Sequence, residues 1–213
     1  MSSDMLKVGV KMALEGEERS YIVGLVVGML GTAPSSALMA ELTAVYTGSR
    51  SLSDLADHIA ASDVYISKHS RGQTVKEVAA DILDSAIVGG ILTGDLRTSV
   101  IDLIAGGLTD GTYTIASASK AVVDYLSNTA NNDNADLGDI AKAFQNRKEV
   151  AVAYTVKITL AGIDSTPAEL AAAIESVTSD AATLTAAVEA VDDAAAAAAA
   201  AAQKAVDDAA AEA

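Results

Sequence analysis

The sequence predicts an all-α protein, built of stacked helical hairpins that are followed by a long C-terminal helix rich in alanine. Three observations favour this fold class. Apolar residues make up 51% of the 213 residues but aromatic residues only 3%, so small aliphatic side chains must form most of the core. Alanine, which is abundant here, is the strongest helix former. Capping signals and glycine-containing turns also divide the chain into segments of helical length.

Residues that begin or break helices set the boundaries of the predicted elements. Gly16 separates the first two helices, Pro34 suits the first turn of a third, and Ser51 caps a fourth. Thr74 and Glu77 have the spacing of a capping box, in which each side chain bonds to the backbone of the other residue. The predicted helices cover residues 4–15, 20–30, 34–46, 51–61, 75–88, 95–105 and 114–127, and a long helix that begins at Asp136 or Asp139 and ends near Leu160.

A second capping box begins the C-terminal part of the chain. Thr166 is expected to cap, Pro167 to take the first helical position and Glu169 to close the box. A final helix is therefore predicted from residue 166 to the end. It continues into nine consecutive alanines, residues 194–202, which bury little area and make that end weak or dependent on a partner. Before them, the apolar residues have the heptad spacing of a coiled-coil seam: Leu170, Ile174, Val177, Leu184, Val188 and Val191.

The acidic charge is concentrated in this C-terminal part. The formal net charge is −15, of which residues 164–213 carry −9 and residues 1–163 carry −6. We therefore predict two units, a helical anchoring or assembly domain at 1–163 and an acidic, alanine-rich helical arm or linker at 164–213. Such a charge excludes nucleic acid as a partner, because binding to phosphates requires a cationic surface.

Cysteine chemistry and membrane insertion are also excluded. The chain has no cysteine, so disulfides, thiolate metal sites and a cysteine nucleophile cannot form. The most apolar stretch, residues 21–30, is half as long as the roughly 20 residues that span a bilayer, so no transmembrane segment is predicted. The first residues include Asp4 and lack a long apolar run, and no signal peptide is expected.

The sequence indicates a structural or binding protein rather than an enzyme. His69 lies between Ser67 and Ser70, and a Ser-His-Asp site could be imagined there, but no serine has the G-x-S-x-G context of a nucleophile. Phosphate-binding loops, dinucleotide fingerprints and histidine pairs with metal-ligand spacing are absent. We predict no enzymatic activity, and we interpret His58 and His69 as surface residues.

The segment 128–139 is the best candidate for a metal site. Calcium prefers carboxylate and amide oxygens at closely spaced positions. An EF-hand would need glycine where this sequence has Leu137, so that motif does not match. The alternative is a flexible loop whose last aspartate caps the next helix. The candidate calcium ligands are Asn132, Asp133, Asn134, Asp136 and Asp139.

Three weaker patterns concern helix packing, internal repetition and surface aromatics. Gly24 and Gly28, four residues apart, permit close helix approach, most simply inside a soluble core. Residues 27–65 and 88–125 form a loose internal repeat, because one ends in Asp-Val-Tyr and the other in Val-Asp-Tyr. Tyrosines near predicted helix ends can stack on a sugar or simply keep their hydroxyls in water: Tyr46, Tyr65, Tyr113 and Tyr125.

Several short motifs occur in order along the chain. They are Leu30-Gly-Thr-Ala-Pro34, Gly48-Ser-Arg-Ser-Leu-Ser-Asp-Leu-Ala56, Ala60-Ala-Ser-Asp-Val-Tyr65 and Asp136-Leu-Gly-Asp-Ile-Ala-Lys-Ala-Phe-Gln-Asn-Arg-Lys-Glu-Val150. This series resembles the helical units near the N-terminus of secreted bacterial surface-layer proteins of the Caulobacter type. The resemblance covers roughly residues 20–160.

In that family the N-terminal helical domain holds the protein on the outer membrane by binding the polysaccharide of lipopolysaccharide, often with calcium in the lattice. The resemblance therefore implies a secreted structural protein of the bacterial cell surface, with lipopolysaccharide and further copies of itself as partners and calcium as a cofactor. No sugar-binding residue can be carried over, but we expect any glycan groove near segments 66–73 and 128–139. The alternative hypothesis is a cytoplasmic coiled-coil scaffold that self-assembles through the seam 170–191 and needs neither glycan nor calcium.

Overall fold

A computed structural model describes residues 16–68, 72–87, 91–159, 163 and 165–211 of the chain. Within these residues ten α-helices and no strands are found, which confirms the all-α prediction. The helix predicted over 4–15 and the residue His69 lie outside the described residues. The helices are α1 Gly16–Leu30, α2 Ser36–Ser49, α3 Leu52–Ala60, α4 Asp63–Lys68, α5 Val75–Ala86, α6 Gly94–Thr109, α7 Ile115–Ser127, α8 Gly138–Tyr154, α9 Pro167–Glu175 and α10 Ala181–Ala211, with a 3₁₀ turn at Thr129–Asp133 and a π turn at Thr155–Thr159.

Helix α1 lies at the centre of the fold. Every residue from Ile22 to Met29 is buried, as expected for a helix that is apolar on all sides and enclosed by others. Helices α3, α5, α7 and α8 all pack against it. Because the core contains one phenylalanine and no tryptophan, it depends on many aliphatic contacts around this helix.

The helix caps predicted from serine and threonine side chains are confirmed. Ser51 Oγ accepts a hydrogen bond from the backbone N–H of Asp54 at 3.2 Å, and both Thr74 with Glu77 and Thr166 with Glu169 form complete capping boxes. Pro34 lies outside the helix that it was expected to begin. Ser35 caps α2 instead, by accepting from the backbone N–H of Leu38.

Helices α6 and α4 differ from the sequence prediction. Gly106 and Gly107 do not end a helix, because α6 continues to Thr109 and the turn is made by Gly111, which has a φ of 80°. A β-carbon on Gly107 would lie 2.3 Å from the Tyr113 ring, so this glycine allows the ring to pack across α6. Helix α4 was not predicted at all.

The single helix predicted from residue 166 to the end is two helices, α9 and α10, separated by residues 176–180. Local hydrogen bonds explain the break. Thr183 Oγ1 accepts from the backbone N–H of Thr178 at 3.0 Å, and Asp180 Oδ1 accepts from that of Ala182 at 2.8 Å. Short polar side chains of this kind compete with the helix for backbone groups, and here they end one helix and begin the next.

The heptad seam packs on the same chain. Leu170, Ile174, Val177 and Val191 are buried, and Leu184 and Val188 are partly buried against the core. Helices α9 and α10 both contact α8, and Lys157 of the π turn pairs with Asp192 of α10. Residues 199–210 of α10 are all exposed. In the parts of the chain that are described, no helix has both the length and the apolar character needed to cross a bilayer.

Arg147 of α8 is a charged residue within the core, with 2% of its surface exposed. Its Nη1 donates to the carbonyl oxygen of Ala86 at 3.1 Å. Its Nε and Nη2 have no hydrogen-bond partner among the described residues. Burial lowers the pKa of this guanidinium to about 10, which marks a site where a charge is costly.

Tyr21 joins α1 to α7 through a polar contact. Its hydroxyl donates to Asp124 Oδ1, while Lys120 donates to Asp124 Oδ2 at 2.6 Å and lies 5.9 Å from the centre of the Tyr21 ring. Burial, assisted by the hydrogen bond and the negative charge of Asp124, raises the pKa of Tyr21 far above its ordinary value of 10.0.

We expect stability to fall as the pH rises above about 10, because the unfolded chain then releases the Tyr21 proton while the folded chain retains it. The contribution is complete below the unfolded pKa and is lost as the pH rises towards the folded one. Tyr21→Phe should flatten this decline in urea unfolding between about pH 9 and pH 11. Tyr113→Phe, at a more exposed tyrosine, is the control, and identical declines for the two variants would contradict the assignment.

Candidate functional site

The segment 128–139 is held in shape by its own asparagines. Asn128 Oδ1 accepts from the backbone N–H of Ala130 at 3.1 Å. Asn134 Oδ1 accepts from the backbone N–H groups of Asp136 and Leu137, both at 2.9 Å. These bonds shape a 3₁₀ turn and then a tight turn into α8, so the polar composition that predicted a loop also fixes the conformation of that loop.

A side-chain amide pair fastens this loop to the helices behind it. Asn132 and Gln145 exchange two hydrogen bonds, at 3.0 and 2.8 Å, and Gln145 Nε2 also donates to the carbonyl oxygen of Leu126 at 2.9 Å. Gly138 permits the close contact, because a β-carbon there would lie 2.4 Å from the backbone oxygen of Asn132. The loop is thus joined to both α7 and α8.

The loop forms one wall of a polar concavity of about 300 Å³. Its charged groups are the carboxylates of Asp133, Asp136 and Asp139 and the ammonium group of Lys142. The three aspartates are exposed. No hydrogen bond or ion pair to another described residue occupies their oxygens, so the carboxylates can accept hydrogen bonds from a ligand.

All five predicted calcium ligands line this concavity. Two of them are already engaged, because the oxygens of Asn132 and Asn134 accept the hydrogen bonds that hold the loop. Over the described ranges, no three histidine, aspartate or glutamate side chains lie close enough together to hold a metal ion. Calcium binding at Asn132, Asp133, Asn134, Asp136 and Asp139 stays a prediction.

The second segment expected near a glycan groove, 66–73, packs elsewhere in its described part. Helix α4 contacts α1 and α3, and Gln73 donates to Asp81 of α5 at 2.6 Å. The loop 128–139 instead contacts α7 and α8. The contacts of the described residues therefore do not bring the two segments into one groove.

An apolar pocket of about 320 Å³ lies between α5, α6, α7 and the start of α8. Tyr113 and Tyr125 are 38% and 36% exposed beside it, and Leu103 is 74% exposed. No sequence motif indicates this pocket, since its walls come from four helices that meet only in the folded chain. Lining residues include Leu92, Val100, Ile104, Val122, Leu126 and Leu137.

The four tyrosines considered as sugar-stacking residues fall into different environments. Tyr65 is buried, and its hydroxyl lies 3.1 Å from Ser119 Oγ, so it is a core residue. Tyr46 is partly buried and donates to Glu18 at 3.3 Å. Only Tyr113 and Tyr125 combine an exposed ring edge with a neighbouring pocket.

Several apolar residues of the motifs that carry the surface-layer resemblance lie in the core. Ala33, Leu55 and Ala56 are buried, as are Phe144 and Val150. These buried positions therefore describe how the helices pack. Comparison with protein families, with curated proteins and with solved structures finds no match to this chain. The resemblance stays a prediction that rests on the motifs alone.

Proposed function

We propose that this chain is a non-enzymatic, helical protein of the bacterial cell surface, which anchors or assembles a surface layer by binding the polysaccharide of lipopolysaccharide. The observation that carries the proposal is the polar concavity of segment 128–139. It presents the carboxylates of Asp133, Asp136 and Asp139 with no partner among the described residues. Sugar hydroxyls are donors that such carboxylates accept well, because a hydrogen bond to a charged acceptor is stronger than one between neutral groups.

The rigidity of the loop favours this role. Asn128, Asn132 and Asn134 already fix the backbone, so little conformational freedom is lost when a ligand binds. A few exposed hydrogen bonds give a weak single site. Repetition across a lattice of identical subunits raises the overall affinity through effective concentration, which is how weak glycan contacts would anchor a layer.

Calcium belongs to the same proposal as a cofactor of the concavity. Three aspartates offer the hard oxygen ligands that calcium prefers. Because Asn132 and Asn134 already use their oxygens within the loop, and no three acidic side chains of the described residues lie close enough together to hold one ion, at most two aspartates would bind the calcium. Water or sugar hydroxyls would supply the remaining ligands. The expected partners are thus polysaccharide, calcium and further copies of this chain, and the proposed location is the outside of a bacterial cell.

Self-assembly without a glycan is the second candidate function, and one observation favours it. Residues 199–210 of α10 are exposed along their whole length, and Val206 is 63% exposed. The seam 170–191 packs on α8 of the same chain, so a scaffold would have to pair through this later part of α10. Removal of residues 199–213 would then convert an oligomer to a monomer in sedimentation equilibrium.

The double variant Asp136→Asn, Asp139→Asn should bind freed lipopolysaccharide polysaccharide at least tenfold more weakly, since each change removes a charged acceptor worth about 1.5–3 kcal/mol. Affinity is measured by isothermal titration calorimetry at millimolar calcium and again after chelation. The matched control is Glu189→Gln, Asp193→Asn on exposed positions of α10, which changes the charge equally. Unchanged affinity in the Asp136, Asp139 variant would contradict the proposed site.

A further inference from the structure

The apolar pocket and the polar concavity share one stretch of chain. In segment 136–140, Asp136 and Asp139 line the polar concavity, whereas Leu137 and Ile140 line the apolar pocket. Adjacent α-carbons are about 3.8 Å apart. The two cavities therefore share this stretch of backbone as a common wall.

The pocket has the size and lining of a site for an apolar group. Its volume of about 320 Å³ is at the lower end of the ~300–1,000 Å³ range of ligand pockets. At ~30 Å³ per group, comparable to a water molecule in the liquid, it accommodates roughly ten methylene groups. Leu103 in the pocket wall stays 74% exposed, and a hydrocarbon chain would cover part of this side chain.

The charge of the neighbouring concavity selects the head group. Three aspartates face a single ammonium group, that of Lys142. A carboxylate or sulfate head would be repelled there, whereas hydroxyl groups would donate to the aspartates. Tyr113 and Tyr125, which line the apolar pocket, suit an amphiphilic ligand, since each ring has an apolar body and a hydroxyl that prefers water.

We infer that the two cavities together bind a glycolipid-like amphiphile, with a straight hydrocarbon chain in the apolar pocket and an uncharged, hydroxyl-rich head group in the polar concavity. This inference rests on the proposed function, because the head group occupies the same site as the proposed polysaccharide. It adds a second contact of different chemistry, which would hold the protein to the lipid part of the surface as well as to the glycan.

The test is calorimetric titration of the full chain with alkyl maltosides below their micelle concentration. Affinity should rise roughly fourfold per methylene from hexyl to decyl maltoside, the increment expected for methylenes leaving water. Maltose alone should bind far more weakly than decyl maltoside. Decanoate, which has a similar tail and an anionic head, should bind at least tenfold more weakly than decyl maltoside.

Ala121→Phe, at a partly buried position of the pocket wall, should lower the affinity for decyl maltoside at least tenfold by filling the space. Ala168→Phe, on the exposed first turn of α9, is the matched control and should change nothing. Leu103→Ser is a second variant that keeps the fold, since that side chain is 74% exposed, and it should weaken binding several-fold.

The inference is overturned if the affinity for alkyl maltosides does not depend on the length of the alkyl chain, or if Ala121→Phe binds decyl maltoside as tightly as the unchanged protein. If decanoate binds as tightly as decyl maltoside, the head-group assignment is overturned. A second copy of the chain as occupant would appear as a dimer that Ala121→Phe dissociates without any amphiphile, which also overturns it. Polysaccharide binding that depends on Asp136 and Asp139, with no binding of decyl maltoside, leaves the proposed function standing while this inference fails. Tight binding of decyl maltoside with no binding of polysaccharide supports the amphiphile site and overturns the proposed function.

Discussion

Gly28→Val is expected to destabilise the fold by about 3 kcal/mol, the upper part of the usual range for overpacking a core. A β-carbon on Gly28 would lie 2.2 Å from Val123 Cγ2 and 3.4 Å from Phe144 Cε2. Both neighbours are only 1% exposed, and the branched Val123 has few alternative rotamers. The extra atoms would therefore force α1 away from α7 and α8, where the central helix packs.

Gly24, one turn earlier in the same helix, provides a matched control. A β-carbon there would lie 3.1 Å from Cδ of Lys148, and this flexible side chain can move aside. Gly24→Val should cost no more than about 1 kcal/mol in urea unfolding. Adding Val123→Ala to Gly28→Val should recover part of the loss, because the smaller side chain at position 123 removes the clash. Equal costs at Gly24 and Gly28 would show that α1 does not approach α7 as closely as described.

Arg147→Met is expected to stabilise the protein by about 2 kcal/mol, although it removes the largest fully buried side chain. Methionine keeps much of the volume and removes a charge whose Nε and Nη2 lack partners among the described residues. The pKa of about 10 for this guanidinium corresponds to an unfavourable charge burial on the order of 3 kcal/mol. Losing the hydrogen bond to Ala86 O offsets about 1 kcal/mol of the gain.

Arg147→Ala separates the effect of charge from that of packing. It also removes the charge but leaves a cavity, so it should be about 3 kcal/mol less stable than Arg147→Met. Chemical unfolding of the three proteins at neutral pH measures both differences. A methionine variant several kcal/mol less stable than the natural protein would mean that the guanidinium forms strong interactions and that its burial is not a net cost.

Local chemistry explains which parts of the fold could be predicted. Ser51, Thr74 and Thr166 cap helices through contacts within three residues. Each cap can therefore be predicted from a segment of four residues. Gly106 and Gly107 resemble a break, but the packing of Tyr113 on Gly107 comes from tertiary structure. The break at 176–180 depends on the side chains of Thr183 and Asp180, which accept hydrogen bonds from backbone N–H groups. The heptad pattern of apolar residues gave no sign of this competition.

The loose internal repeat in the sequence does not predict which residues are buried. Tyr65 and Tyr125 close similar sequences, yet Tyr65 is 3% exposed and bonded to Ser119 whereas Tyr125 is 36% exposed beside a pocket. Burial depends on which helices cover each position, and that requires the three-dimensional arrangement. The burial of Arg147 was missed for the same reason.

The candidate site also has features that the sequence predicts and features that it does not. The polar residues of 128–139 are close in sequence, so composition alone placed Asp133, Asp136 and Asp139 together, and they line one concavity. The engagement of Asn132 by Gln145 joins residues thirteen apart and has no sequence signature. The apolar pocket beside it draws on α5, α6, α7 and α8, so only the assembled fold reveals it.

The most direct test of the proposed function is a ¹⁵N nuclear magnetic resonance titration of the full chain with freed lipopolysaccharide polysaccharide at millimolar calcium. We predict saturable shifts of the amide signals of residues 132–142, with the signals of residues 199–210 unchanged. Signals that stay fixed at high polysaccharide concentration, or that shift only in α10, would contradict a glycan site in the 128–139 loop.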